Sequence, residues 1–133
     1  MSTTINPNYE GLFEQCATFR CGENVREGSL VTVTENGTVG PASSTGQFCG
    51  IARAVRNGMC SVQLHGYAAL SYMGAPPTHG YCSFVANDDA QSLIVMEDEN
   101  ARSILVLEVD RENFNCTVLL NRTKTGNNRR NLL

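Results

Sequence analysis

The longest regular alternation of apolar and polar positions in this chain runs from residue 60 to residue 70. One set of alternate positions is mostly apolar and the other mostly polar; the first comprises Cys60, Val62, Leu64, Gly66, Ala68 and Leu70. Such alternation is typical of a β-strand with one buried face. The strand is preceded by Asn57-Gly58, a dipeptide that favours the type I′ turn of a two-residue β-hairpin. We therefore predict a long hairpin in which Val62, Leu64, Ala68 and Leu70 point into the core.

Shorter runs of the same kind recur along the chain and are separated by turn sequences. They cover residues 29–34, 38–39, 81–85, 92–96, 103–109 and 116–121. The run 103–109 is mostly apolar, unbroken from Ile104 to Leu107, which predicts a strand covered on both faces. No helical period is evident after residue 20. The pattern predicts an all-β fold, a small β-barrel or sandwich of about eight short antiparallel strands built from hairpins.

The two ends of the chain differ from its middle, and we divide it into three segments. Residues 1–24 are predicted to be an N-terminal arm or a short helix, 25–121 a β-domain, and 122–133 a flexible basic tail. The first segment carries apolar residues at mixed spacings, among them Tyr9, Leu12 and Phe13. They suit a short helix, or an arm that packs on the sheet or on a neighbouring subunit. Gly11 and Thr18 lower helix propensity, so the arm is favoured.

Composition excludes several classes of protein. A chain of 133 residues is expected to form one domain, and its 41% hydrophobic and 17% charged residues are those of a globular protein. A net charge of −3 and a pI of about 5.3 argue against a specific nucleic-acid binder. No apolar run approaches the roughly 18 residues of a membrane span, and no secretory signal is evident.

The six cysteines have no metal-binding spacing. They are Cys16, Cys21, Cys49, Cys60, Cys82 and Cys116, and no two form Cys-x-x-Cys. Most lie in strand-like runs, where cysteine behaves as a small buried hydrophobic residue. Without a secretory signal, reduced thiols are expected. The sequence therefore predicts folding without metal or disulfide; a metal site at Cys16 and Cys21 with a histidine is the weaker alternative.

Candidate catalytic groups are few and scattered. The two histidines, His65 and His79, lie on the polar face of the predicted strand and in a Pro-Pro loop. The carboxylates cluster at 88–89 and 97–99, where hairpin turns are expected, so we interpret them as solvated turn charges. No phosphate-binding glycine loop, zinc-protease motif or calcium loop is present. We predict no catalytic residue, no cofactor and no metal.

Several short motifs, taken in order, resemble small head decoration (cement) proteins of tailed bacteriophages. They are Gly28-Ser-Leu-Val31, Gly50-Ile-Ala52, Asn57-Gly58, Val62-Gln-Leu-His-Gly-Tyr67, Pro76-Pro77 and the apolar runs 103–109 and 117–120. The similarity spans residues 25–120, without the N-terminal segment or the tail. It implies a β-rich, non-enzymatic virion protein, made in the bacterial host cytoplasm, that binds the capsid surface, often as a trimer.

On this basis we predict a structural protein that binds and stabilises a capsid lattice. The expected partners are the major capsid protein and other copies of the chain, with a trimer favoured and no membrane partner. The predicted contact residues are Tyr9, Leu12 and Phe13 in the N-terminal segment and Arg129 and Arg130 in the tail. The tail holds four cations and no acid, which suits an acidic partner. A small β-barrel ligand-binding module, or an enzyme of unknown substrate, is the alternative.

Overall fold

The computed structural model describes residues 15–45 and 47–120, which form nine β-strands and no helix. The strands are β1 Gln15–Cys21, β2 Leu30–Glu35, β3 Thr38–Pro41, β4 Gly50–Arg56, β5 Met59–Met73, β6 Gly80–Ala86, β7 Leu93–Val95, β8 Arg102–Asp110 and β9 Asn115–Leu120. The all-β prediction is confirmed.

The nine strands form one sheet that closes on itself twice through β5. One circuit runs β1-β3-β2-β4-β5 and is closed by the pairing of β1 with β5; we call it the first ring. The other runs β5-β7-β6-β8-β9 and is closed by the pairing of β5 with β9; we call it the second ring. Strand β5, with 15 residues, belongs to both rings. Most pairings are antiparallel, but β1–β3 and β5–β7 are parallel, a feature that hairpin signals do not indicate.

The predicted central hairpin is present as β4 and β5. Asn57 and Gly58 have φ angles of 53° and 77°, the positive values that a type I′ turn requires. Arg56 pairs directly with Met59 across the turn, so the loop has two residues. The local sequence signal therefore positioned the hairpin correctly.

Strand β1 was not foreseen as a strand. It lies in the segment 1–24, which was predicted to be an arm or a short helix. Residues 15–21 of that segment are extended, and Gln15 to Arg20 pair with β5. Three alternate side chains, Ala17, Phe19 and Cys21, are half-buried while those between them are exposed. The alternation spans too few residues for its period to be recognised without the partner strand.

Buried apolar side chains of the described residues form two cores. The larger core is built mainly from strands of the second ring, with Leu30 of β2 and Ile51 of β4 from the first. Its most deeply buried large side chains are Phe48, Phe84, Leu30, Ile51, Leu93, Ile104 and Leu120. The smaller core lies in the first ring and comprises Val25, Val31, Val39, Ala52, Cys60 and Val62. Strands β2, β4 and β5 supply side chains to both cores, and of these only β5 is also hydrogen-bonded within both rings.

The predicted inward face of β5 is confirmed at three of four positions. Val62, Ala68 and Leu70 are 0%, 2% and 8% exposed, whereas Leu64 is only half-buried at the margin of the smaller core. The prediction for Leu64 was wrong in degree because that residue lies where β5 passes from one ring to the other. The run 103–109 is likewise covered on one face only: Ile104 and Val106 are buried, and the side chains between and after them are partly exposed.

Candidate functional surface

The two histidines lie in different parts of the described fold. His65 is half-buried in β5 and pairs with Gln15, while His79 is exposed in the loop before β6. Within the described ranges, no group of three or more histidine, cysteine or carboxylate side chains is arranged to hold a metal ion.

The acidic clusters serve the turns in which they lie. Asp88 Oδ1 accepts hydrogen bonds from the amide and hydroxyl of Ser44, at 3.1 and 3.0 Å. Asp98 Oδ1 accepts one from the amide of Asn100. Carboxylates that accept backbone N–H groups in this way stabilise turns, which agrees with the interpretation as turn charges.

The β8–β9 turn contains a third carboxylate of this type. Asp110 accepts hydrogen bonds from the side chain and amide of Asn113 and from the amide of Glu112. These bonds, led by that of the Asn113 side chain, lower the pKa of Asp110. A depression beside this turn, between Glu108 and Thr117, holds about 200 Å³, less than the roughly 300–1,000 Å³ of ordinary ligand pockets.

Three cysteines come together in the first ring. Cys60 is buried there, and Cys21 and Cys49 pack against the same core. Burial, aided by the neighbouring thiols of Cys21 and Cys49, raises the pKa of Cys60 to about 11. In the second ring, burial and the nearby Cys82 raise the pKa of Cys116 to about 11. Thiols with raised pKa values stay protonated and unreactive near neutral pH.

One buried arginine was missed by the sequence reading. Arg102 is 4% exposed at the start of β8, and its guanidinium lies over the ring of Phe48 at 5.4 Å. Its Nη1 donates a hydrogen bond to the carbonyl of Phe48. Burial lowers the pKa of Arg102, and the cation–π contact and hydrogen bond offset part of the cost of burying the charge. This arginine anchors the loop before β4 to the second ring.

The most specific polar arrangement in the fold lies where β5 passes between the rings; we call residues 63–67 the β5 hinge. Gln63 is fully buried, although it belongs to the polar set of the alternation. Its Nε2 donates to the carbonyls of His65 and Tyr67, and its Oε1 accepts from Arg53 Nε at 2.7 Å. Between the two carbonyls, Gly66 has a φ angle of 102°, which L side chains rarely adopt. Gln63 thus satisfies backbone groups at the irregular point of the strand.

Gly50, at the start of β4, fits closely against this hinge. A Cβ atom there would clash with the carbonyl oxygen of Gln63 and approach Val62 Cγ1 to 2.8 Å. Two of the motifs noted above, Gly50-Ile-Ala52 and Val62-Gln-Leu-His-Gly-Tyr67, therefore meet in space. The hinge explains why Gly50, Gln63 and Gly66 stand in these motifs. Sequence inspection finds the two motifs, but it does not show that they contact each other.

Both described ends of the chain meet at the β5 hinge. Gln15, the first described residue, pairs with His65, and Leu120, the last, pairs with Gly66. The segments 1–14 and 121–133 are therefore attached to the fold at neighbouring positions. The predicted contact residues Tyr9, Leu12, Phe13, Arg129 and Arg130 lie in those segments, outside the described residues.

A continuous row of apolar side chains crosses the second ring beside the hinge. Tyr67 pairs with Leu119, Leu119 with Leu105, and Leu105 with Tyr81, so one residue from each of four strands lies in register. The adjacent residues Ala68, Val118 and Ile104 are buried in the core, so the row faces outward. Leu105 and Leu119 are half-buried and Tyr81 is 62% exposed. We call these four residues the outer row.

No helix among the described residues is long and apolar enough to cross a membrane. Comparison with known proteins finds no matching family model and no matching curated protein. Among solved structures, the fold is similar to the N base of the head fibre protein gp8.5 of bacteriophage phi29. The TM-score is 0.55 at 15% sequence identity, over 85% of this chain and 98% of that one. At this identity the likeness shows a shared fold.

Proposed function

We propose that this chain is a non-enzymatic structural protein of a phage virion that binds and stabilises the capsid lattice. The observation that carries the proposal is the similarity of fold to a phage head-fibre base over nearly all of that chain. It agrees with the motif resemblance to phage head decoration proteins, which rests on different information. Both support a structural role in a phage virion.

The described residues also favour binding over catalysis. Asp88 and Asp98 accept hydrogen bonds within turns or from a neighbouring loop, and the buried thiols of Cys60 and Cys116 have raised pKa values. His65 lies in β5 and His79 in the loop before β6, whereas an enzyme of this kind brings its nucleophile and its acid–base groups together in one cleft. The apolar outer row and the attachment of both terminal segments beside it suit an interaction protein better.

The proposed partners are the major capsid protein and further copies of this chain, with a trimer favoured. Segments 1–14 and 121–133 join the fold at neighbouring positions of the β5 hinge. We therefore propose that Tyr9, Leu12, Phe13, Arg129 and Arg130 act on one side of the molecule. A basic tail contributes little alone, but repetition across an oligomer multiplies weak contacts into useful avidity. On this proposal the protein lies on the outer capsid surface.

The test is a binding experiment with the full chain. Light scattering gives the assembly state, and co-sedimentation with capsids of the source phage gives binding. We expect an oligomer that sediments with capsids and saturates at a fixed ratio to the major capsid protein. A monomer that stays in the supernatant with intact capsids would contradict the proposal.

A further inference from the structure

Two arginines flank a methionine at the end of the first ring that carries the β4–β5 turn. Met59, the first residue of β5, pairs with Arg20 of β1 on one side and with Arg56 of β4 on the other. Residues directly opposite each other in a sheet share a face, so the three side chains lie side by side. All three are exposed, Met59 at 41%. We call them the arginine row.

The cations of the arginine row are available to a partner. Arg20 is held in place because its Nε donates to the hydroxyl of Thr38 at 3.3 Å and its Nη2 donates to the carbonyl of Asn36. Both acceptors are neutral, so they leave the charge of Arg20 uncompensated. Thr38 also pairs with Glu35, which therefore lies two strands, or about 10 Å, from Arg20. A cation that is fixed before binding loses little conformational freedom when a partner arrives.

The charges of the described fold are unequally divided between the two rings. Residues 15–73, which hold β1 to β5, carry four arginines and three glutamates, a formal charge of +1. Residues 74–120, which hold β6 to β9, carry eight carboxylates and two arginines, a formal charge of −6. One of those two arginines, Arg102, is buried. The second ring therefore has the charge that complements the arginine row.

The β8–β9 turn presents an apolar side chain among these acids. Phe114 is 58% exposed and has a φ angle of 55°, which is rare for a bulky residue. Asp110 and Glu112 are exposed in the same turn, with Arg111 between them. Backbone in such sparsely populated conformations is concentrated at sites that contact ligands or partners. The turn thus pairs an exposed aromatic ring with carboxylates, as the arginine row pairs Met59 with cations.

We infer that the arginine row docks on the β8–β9 turn of a second copy of this chain, head to tail. Met59 begins β5, whereas Phe114 lies at the other end of that strand, where its carbonyl accepts the amide of Tyr72. A continuous strand of 15 residues does not fold back on itself, so only another copy can bring the two surfaces together. Arginine over phenylalanine already occurs inside the fold, at Arg102 and Phe48.

A contact of this kind joins two different surfaces. Repeating it gives a closed ring where the rotation between copies closes, and a fibre where it does not. The inference names the interface of the homo-oligomer and rests on that part of the proposed function. It does not depend on capsid binding.

Complementation between two full-length variants tests the inference. Arg56→Glu disables the arginine row and leaves the turn intact, whereas Phe114→Asn disables the turn and leaves the row intact; asparagine tolerates the positive φ angle. In sedimentation velocity we expect each variant alone to associate at least about tenfold more weakly than the unmodified chain. An equimolar mixture should form dimers with one copy of each variant, identified by mass in native mass spectrometry, because one intact row then meets one intact turn.

Arg26→Glu is the matched control. Arg26 is exposed in the loop before β2, outside the arginine row, and its substitution changes the net charge by the same amount as Arg56→Glu. This variant should associate like the unmodified chain, and thermal unfolding checks that every variant is folded. Undiminished association of Arg56→Glu or Phe114→Asn, or a mixture that forms no mixed dimer, would overturn the inference. If the unmodified chain still assembles and sediments with capsids, the proposed function survives that failure.

Discussion

At the scale of single residues, Gln63 explains more of this fold than any other polar side chain. It is buried without a charge and bonds to two backbone carbonyls and to Arg53. Buried polar groups persist when their hydrogen-bonding capacity is met, and they then hold one geometry. Its backbone carbonyl is also the atom that limits the space at Gly50.

Gly50→Ala should therefore destabilise the protein by about 1–3 kcal/mol, the usual cost of overpacking. The added Cβ meets backbone at Gln63 and the buried Val62, neither of which moves easily. Gly40→Ala is the control, because its Cβ would meet mainly the methyl of the exposed Thr34 at 3.0 Å. Urea unfolding measures both, and equal losses would contradict the close fit at Gly50.

Leu64→Ala should cost less than the sequence pattern suggested. The alternation predicts a buried leucine, for which truncation costs about 2–5 kcal/mol. The side chain is half-buried, so we expect a loss below about 2 kcal/mol, whereas Ile51→Ala, at a fully buried site, should fall in the full range. Chemical denaturation of the two variants under one condition decides the order, and a larger loss at Leu64 would refute it.

The buried thiols should make the free energy of unfolding fall as the pH becomes alkaline. Burial raises the pKa values of Cys60 and Cys116 from 9.0 to about 11. A group whose folded-state pKa is raised contributes stability that is complete below the unfolded-state value and lost as pH rises through the folded value. Stability should therefore fall between about pH 9 and 11. The variant Cys60→Ala/Cys116→Ala should lose less over that interval, and parallel pH profiles would exclude the thiols as the cause.

At the scale of elements, β5 is the strand on which the others depend. It pairs with β1 and β4 in the first ring and with β7 and β9 in the second. Its side chains enter both cores. Damage to β5 should therefore be felt in both rings, while damage to β6, whose side chains enter the larger core alone, begins in one.

Gly66→Ala tests this coupling, because position 66 has a φ angle of 102° in the middle of the hinge. An L side chain held there costs of the order of 1–3 kcal/mol. We expect unfolding to remain a single transition at a lower denaturant midpoint. Two separated transitions would mean that the rings unfold independently and that β5 does not join them.

At the scale of the whole molecule, charge and chain ends set the expected mode of binding. The net charge is −3, yet residues 122–133 contain four cations and no acid. The tail is attached beside Leu120, at the hinge and next to the outer row. Binding to an acidic lattice would therefore bring this side of the molecule towards the capsid.

Deletion of residues 122–133 should weaken capsid binding, and added salt should weaken binding of the full chain more than that of the truncated one. Salt screens interactions between exposed charges that are more than about 10 Å apart at 0.1 M. Removing the tail removes the charge–charge attraction that salt would otherwise weaken. Co-sedimentation over a salt series measures both effects. Arg129→Gln/Arg130→Gln is the conservative variant, and an identical salt response in all three proteins would exclude the tail from binding.

Sequence alone determined the features that depend on consecutive residues. Asn57-Gly58 predicts a tight turn because those two residues tolerate positive φ angles, and the alternation after it predicts a strand because successive side chains point to opposite faces. The same local logic predicted the all-β class and the carboxylates in turns. Nothing in these inferences requires knowing which strands are neighbours.

Tertiary structure decided the features that depend on residues far apart in the chain. Gln63 looks like a surface position until the hinge encloses it, and Leu64 looks like a core position although it lies between two cores. Strand β1 becomes recognisable only through its pairing with β5, and the outer row exists only because four strands are in register. Burial and the long-range pairings are properties of the closed sheet. Strands such as β1 and β9 pair with β5 from a distant segment, and local periodicity carries no information about which segment that is.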